Sequence, residues 1–243
     1  MMEGRMGGQG QLRFALDTGV THSVIDKKLA DQISGPRRRS GKVLSFDKII
    51  NAEWVEVPEL EFGPVHVSNF LMMIGDLRYS RSFATHVDAV IGLDLLRLNS
   101  FSIDYDAHRV TFGLMNTDSG VPMEVDGVCI TVQLMMGDSK VRLLVDTGAQ
   151  ALVLYEDRVA DRLPQLKMGR ETAGISIGGR VLSKRGFIPK ARLGATDVDG
   201  TIYLVKAPPG RLFPGIDGYL GTAALRARRI DFNFETNTLG WKK

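Results

Sequence analysis

The sequence predicts a mainly β protein built from two similar lobes, and two observations carry that prediction. Most apolar runs are short, rich in β-branched residues and bounded by Gly, Pro, Asn or Asp, which suits strands better than long helices. The chain also repeats itself. Setting Asp17 over Asp146 aligns LRFALDTGV with VRLLVDTGA, and VIGLDLL (90–96) then falls on YLGTAAL (219–225). The interval from Asp17 to Gly92 in the first copy therefore equals that from Asp146 to Gly221 in the second.

The remaining elements follow in order. VPELEFGPVHVSNFLMMI (57–74) resembles IPKARLGATDVDGTIYLVKA (188–207) in alternation and in its glycine. SIDYDAHRVTF and RIDFNFETNTLGW each read as strand, polar turn and strand, with Asp104 and Asp231 as matching turn caps. VIDKKLADQI (24–33) and YEDRVADRL (155–163) carry helical spacing, and LDLLRLN and TAALRAR read as short helices, with Arg226, Arg228 and Arg229 on an exposed face. In the second lobe ITVQLMM, a GDSK turn and VRLLV form a hairpin. The alignment that sets Asp17 over Asp146 also sets Met1 opposite Ile130, where the matching hairpin strand begins. The lobes are assigned to residues 1–116 and 123–243, joined by a linker at 117–122.

Composition narrows the function classes. The chain has 243 residues, 44% hydrophobic and 24% charged, enough for two lobes with cores of their own. Net charge is only +3, and Arg37-Arg38-Arg39 sits among Ser, Gly and Pro without aromatic interleaving, so no nucleic-acid partner is expected. No apolar run reaches the roughly 20 residues of a membrane span. MMEGRMGGQGQ lacks the apolar segment of about 7–15 residues that a signal peptide needs. An export signal ahead of Met1 would favour an envelope, periplasmic or secreted location over a cytoplasmic one. Cys129 is alone, so an intrachain disulfide is excluded.

One Asp-Thr-Gly triplet reads as a strand-to-turn junction. Two copies, each after an apolar strand and each at the same distance before an apolar-apolar-Gly motif, ask for a shared purpose. On these residues the sequence resembles the aspartic proteases, both retropepsin-like and pepsin-like, with compact lobes fused in one chain. The resemblance covers nearly the whole sequence. It implies the acid-protease fold: all-β, with two pseudo-twofold-related, barrel-like lobes, a few short helices and a cleft between the lobes.

It also implies roles. Asp17 and Asp146 would form a catalytic dyad sharing one proton, because two apposed carboxylates cannot both ionise cheaply. Thr18 and Thr147 would hydrogen-bond across the lobe interface, and Gly19 and Gly148 would permit close backbone approach. Gly92 and Gly221 would form a structural second loop beneath the site. The expected activity is peptide-bond hydrolysis on a peptide or protein substrate by a monomer, a pseudo-dimer of lobes, with neither metal nor cofactor. The rival reading is a catalytically silent peptide-binding or interaction module on the same fold.

Val20 and Ala149 stand where pepsin-like lobes carry a hydroxyl, which predicts raised dyad pKa values and a weakly acidic optimum. Gln150 also departs from the pattern that Thr21 keeps. Flap hairpins are expected near 42–54 and 175–184, with Gly178-Gly179 at one tip and Phe46 and Trp54 as candidate cleft aromatics. A serine triad of Asp17, His22 and Ser23 is rejected, since neighbouring His and Ser side chains on one short segment do not converge. His66, His86 and His108 show no metal-ligand spacing along the chain. Met72-Met73 and Met135-Met136 read as core.

Overall fold

The computed structural model describes residues 1–33, 38–44, 49–77, 86–113, 115, 120–126, 129–176, 179–207 and 215–243. Phe46 and Gly178 lie outside them, as do Arg37 and residues 117–119, half of the expected linker.

The first lobe runs β1 (Met2–Met6), β2 (Gln9–Leu16), β3 (Val24–Asp26), α1 (Lys27–Ile33), β4 (Arg38–Leu44), β5 (Ile49–Phe62), β6 (Val65–Gly75), β7 (Ala89–Ile91) and α2 (Leu93–Leu96). Its strands order β1-β2-β7-β3-β6-β5-β4, and β1 also pairs with β5, so six of them close into a barrel and β4 extends from its rim. Alternation sets the barrel's contents: Phe14 and Leu16 of β2, Leu60 of β5, Met72 of β6 and Ile91 of β7 point inward and are buried together. The β1–β2 hairpin turns through Gly7 and Gly8 at φ +55° and +80°, the two-residue loop that favours glycine. β4 and β5 form the hairpin expected as a flap, with residues 45–48 outside the described set.

Between the lobes lie β8 (Phe101–Asp104), β9 (Arg109–Phe112) and β10 (Val121–Pro122), the last at the end of the expected linker. The second lobe then runs β11 (Glu124–Val125), β12 (Ile130–Met136), β13 (Ser139–Asp146), β14 (Leu152–Tyr155), α3 (Glu156–Val159), a 3-10 turn (Ala160–Arg162), β15 (Lys167–Ser176) and β16 (Gly179–Phe187). After these come β17 (Ala191–Leu193), β18 (Thr196–Asp197), β19 (Thr201–Val205), β20 (Gly218–Gly221), a 3-10 turn (Thr222–Leu225), β21 (Arg229–Asn233) and β22 (Thr238–Lys242). This sheet orders β15-β16-β19-β14-β20-β13-β12-β17-β18. It repeats the first lobe's strand order, but both long strands are divided: β5 corresponds to β16 and β17, on either side of Pro189, which cannot donate to a ladder, and β6 corresponds to β18 and β19.

The duplication extends to register. Phe14 pairs with Ala89 and Leu16 with Ile91, in parallel; at the equivalent positions of the second lobe Leu143 pairs with Gly218 and Val145 with Leu220. A third sheet, β10-β22-β21-β8-β9, joins the lobes. Ser102 pairs with Asp231, and Phe101 with Phe232, whose rings stack at 4.8 Å.

Three local expectations change. Val24–Asp26 is a strand rather than the start of a helix, because β6 and β7 pair with it on both sides. Arg229 belongs to β21, where its guanidinium meets Asp231 at 2.8 Å, instead of lying on a helix. Asp104 caps its turn, accepting from the Ala107 N–H at 2.7 Å, but Asp231 is not its counterpart. Asn233 is, accepting from the N–H groups of Glu235 and Thr236 at 3.0 Å. Among the described residues no helix is long and apolar enough to cross a membrane.

Candidate active site

Each Asp-Thr-Gly leaves the end of a parallel strand pair. The Asp17 N–H donates to the Ile91 carbonyl at 3.0 Å, and Asp146 pairs with Gly221. A second pair of aspartates fastens those strands, and sequence reasoning missed it. Asp88 accepts from the Arg13 N–H at 2.8 Å while its own N–H donates to the Arg13 carbonyl at 2.9 Å. Asp217 does the same with Arg142, at 2.9 and 2.7 Å. Their equal separation along the chain from those arginines was the available signal.

The two loops meet across the lobes. Thr18 Oγ1 donates to the Val145 carbonyl at 2.7 Å and accepts from the Thr147 N–H at 3.2 Å. Thr147 Oγ1 donates to the Leu16 carbonyl at 2.9 Å and accepts from the Thr18 N–H at 3.0 Å. Four backbone groups that would otherwise be orphaned are thus satisfied reciprocally.

That grip brings Asp17 and Asp146, both half-buried, within hydrogen-bonding reach of each other. Asp17 Oδ1 accepts from the Gly19 N–H at 2.9 Å. Asp146 Oδ1 accepts from the N–H groups of Gly148 at 2.8 Å and Ala149 at 2.9 Å. Burial raises the Asp17 carboxyl above the ordinary carboxylate value, against hydrogen bonds from Asp146, Gly19 and Gly148 that favour its charged form. Burial likewise holds Asp146 well above that value, and the neighbouring Asp17 adds to it. The pair titrates as a unit.

Both triplet glycines are forced by this closeness. A β-carbon at Gly19 would lie 2.6 Å from Asp146 Oδ2, and one at Gly148 would lie 2.7 Å from Asp17 Cγ. Gly92 and Gly221 pack under the loops: a β-carbon on Gly92 would meet the Val20 carbonyl at 2.7 Å, and one on Gly221 the Ala149 carbonyl at 2.6 Å. In the first lobe a polar clasp adds to this packing. Ser23 donates its hydroxyl to Asp94 at 2.6 Å and its N–H at 2.8 Å, and its Oγ accepts from the Gly92 N–H at 3.0 Å. Ser23 is therefore buried as a structural hydroxyl, and burial raises the Asp94 carboxyl in turn. The second lobe has Leu152 and Ala223 at the equivalent positions.

His66 does have acidic neighbours, which chain spacing could not reveal because strand pairing supplies them. Its Nε2 lies 3.2 Å from Glu59 and its Nδ1 3.5 Å from Glu61, an exposed group on β5 and β6. These three residues hold potential ligand atoms within 4.8 Å of one another, but each imidazole nitrogen already faces its own carboxylate.

Two lobes in register, each giving one glycine-flanked aspartate to a shared loop junction, define the bilobal acid-protease fold. A family profile described as aspartyl protease matches residues 2–95 and again 132–224, and the chain belongs to that family. No curated protein matches the chain.

Proposed function

We propose that the protein is an aspartic endopeptidase in which Asp17 and Asp146 activate a water against a peptide bond. The observation carrying this reading is the apposition of the two carboxyl groups at the crossed threonine loops. Like charges so close cannot both persist, so one proton remains on the pair over a working interval of pH. The ionised member takes a proton from the water as it attacks the carbonyl carbon. The protonated member donates to the carbonyl oxygen as charge develops there. Neither carboxyl forms a covalent bond to the substrate. The tetrahedral adduct collapses as the leaving nitrogen takes up a proton.

With both groups raised by burial, the interval in which the pair holds a single proton moves upward. Activity should be lost below it, where both are protonated, and above it, where neither is. A diverse peptide library incubated across the acid-to-neutral range, with Asp17→Asn and Asp146→Asn alongside, tests the reading. Cleavage that persists in either variant removes the dyad. A rate still rising below about pH 3 removes the claim of a weakly acidic optimum. Binding of peptides without hydrolysis at any pH would identify a silent peptide-binding module.

A further inference from the structure

Strand register determines what stands beside each aspartate, because directly paired residues and alternate residues share a face. Phe14 and Leu16 point into the first barrel, so Ala15 and Asp17 occupy its other face. Following the pairings outward from Ala15 gives Val90, Val24, Met73 and then Trp54 on that same face. In the second lobe the corresponding row runs Leu144, Tyr219, Val153, Tyr203 and Arg185, with Asp146 next to Leu144 on the strand.

The rows are alike in bulk at their outer ends and differ beside the aspartates. In the first lobe the positions nearest the aspartate are small, Ala15 and Val90, both half-exposed, and the bulk sits farther out in Met73 and Trp54. In the second lobe the bulk sits beside the aspartate: Leu144 is 2% exposed and Tyr219 6%. Tyr219 is also pinned. Its ring stands edge-on to Tyr155 at 5.8 Å, and the Tyr155 hydroxyl donates to its own at 3.0 Å. The Arg158 guanidinium covers Tyr155 at 4.8 Å and donates to the Ile216 carbonyl. Held by Tyr155 through both ring and hydroxyl, Tyr219 does not swing aside for a ligand, so the second lobe has filled its own wall.

We propose that the cleft is unequal: it accepts a large apolar substrate side chain beside Asp17 and only a small one beside Asp146, with Tyr219 as the residue that sets the difference. The substrate class is then a peptide in which a large apolar residue adjoins a small one at the cleaved bond. This rests on the dyad reading above.

The experiment uses three peptides that differ only at the scissile pair, Phe-Ala, Ala-Phe and Phe-Phe. One mixed order should be cleaved at least about tenfold faster than the reverse order and than Phe-Phe, the discrimination an apolar pocket provides. Tyr219→Val, which copies Val90, should raise kcat/KM for Phe-Phe about tenfold, whereas Tyr219→Phe should keep the preference. If Tyr219→Val does not fold, Val90→Tyr and Ala15→Leu act on the open wall instead and should lower cleavage of the preferred peptide by a similar factor. Equal cleavage of both orders overturns the proposal, as does a preference unchanged in Tyr219→Val. Should no peptide be cut, the dyad reading fails separately, and equilibrium binding of the same peptides decides. Unequal binding of the two orders supports an unequal cleft, and equal binding overturns it.

Discussion

Removing a single hydroxyl from the crossed threonines tests whether they hold the lobes together. Thr18→Val keeps the side-chain volume but deletes Oγ1, leaving the Val145 carbonyl without its 2.7 Å donor and the Thr147 N–H without its 3.2 Å acceptor. Thr18 is 1% exposed, so water replaces neither bond easily. An orphaned buried group costs about 1–3 kcal/mol, so the variant, which orphans both, should lose about 2–6 kcal/mol. Thr147→Val orphans a different pair, the Leu16 carbonyl and the Thr18 N–H, and Thr147 is half-buried, so its cost should be smaller. The two hydroxyls share no partner group, yet both depend on the same closed junction. The double variant should therefore cost less than the sum of the singles, by more than about 0.5 kcal/mol. Urea unfolding followed through Trp54, in the first lobe, and Trp241, in the sheet joining the lobes, measures all three. A loss under about 1 kcal/mol for Thr18→Val, or strict additivity, would refute the claim that the crossed bonds act as one latch.

Other outcomes follow from the same geometry. Gly148→Ala places a β-carbon against the Asp17 carboxyl, and kcat should fall about 100-fold while the fold survives; a change within about threefold would sink this. Because both dyad groups are raised in the folded protein, that state holds more protons than the unfolded chain between the ordinary and the raised values. Stability should therefore fall as pH rises through that interval, with a slope of up to about 1.4 kcal/mol per pH unit for each proton. Asp146→Asn should flatten this dependence, and parallel stability curves for variant and wild type would contradict it. Ser23→Ala strands the Gly92 N–H and removes one donor from Asp94, so thermal unfolding should report a loss of about 1–3 kcal/mol. An unchanged melting temperature would show the clasp to be dispensable.

The internal repeat made the duplicated, mainly β architecture legible, but not the parallel pairing of each Asp-Thr-Gly strand with its glycine-motif strand. It worked because the motifs that define the repeat sit on the strands that build the lobes. Legibility ended where partners arrive from distant chain. Helical spacing at Val24–Asp26 yielded to two strand neighbours that local pattern does not contain. The shared dipeptide Ile-Asp suggested Asp231 as the twin of Asp104, whereas the sheet aligns Asn233 there. Ser23 and Asp94, far apart in the chain, gave no sign of the clasp they form. The crossed threonines could be anticipated by resemblance, but the walls beside the aspartates needed register, since alternation alone does not say which residues of different strands become neighbours.

The joined sheet, in which Ser102 of one lobe faces Asp231 of the other, has a further consequence. Two identical chains meeting about such an axis would be bound by symmetry: any residue placed on one wall would appear on both. Carrying both halves on one polypeptide releases that constraint. A mutation at Val90 leaves Tyr219 untouched, so the residues beside either aspartate can change while the crossed threonines still hold the two loops together. The molecule retains the alignment of a homodimer and the freedom of a heterodimer.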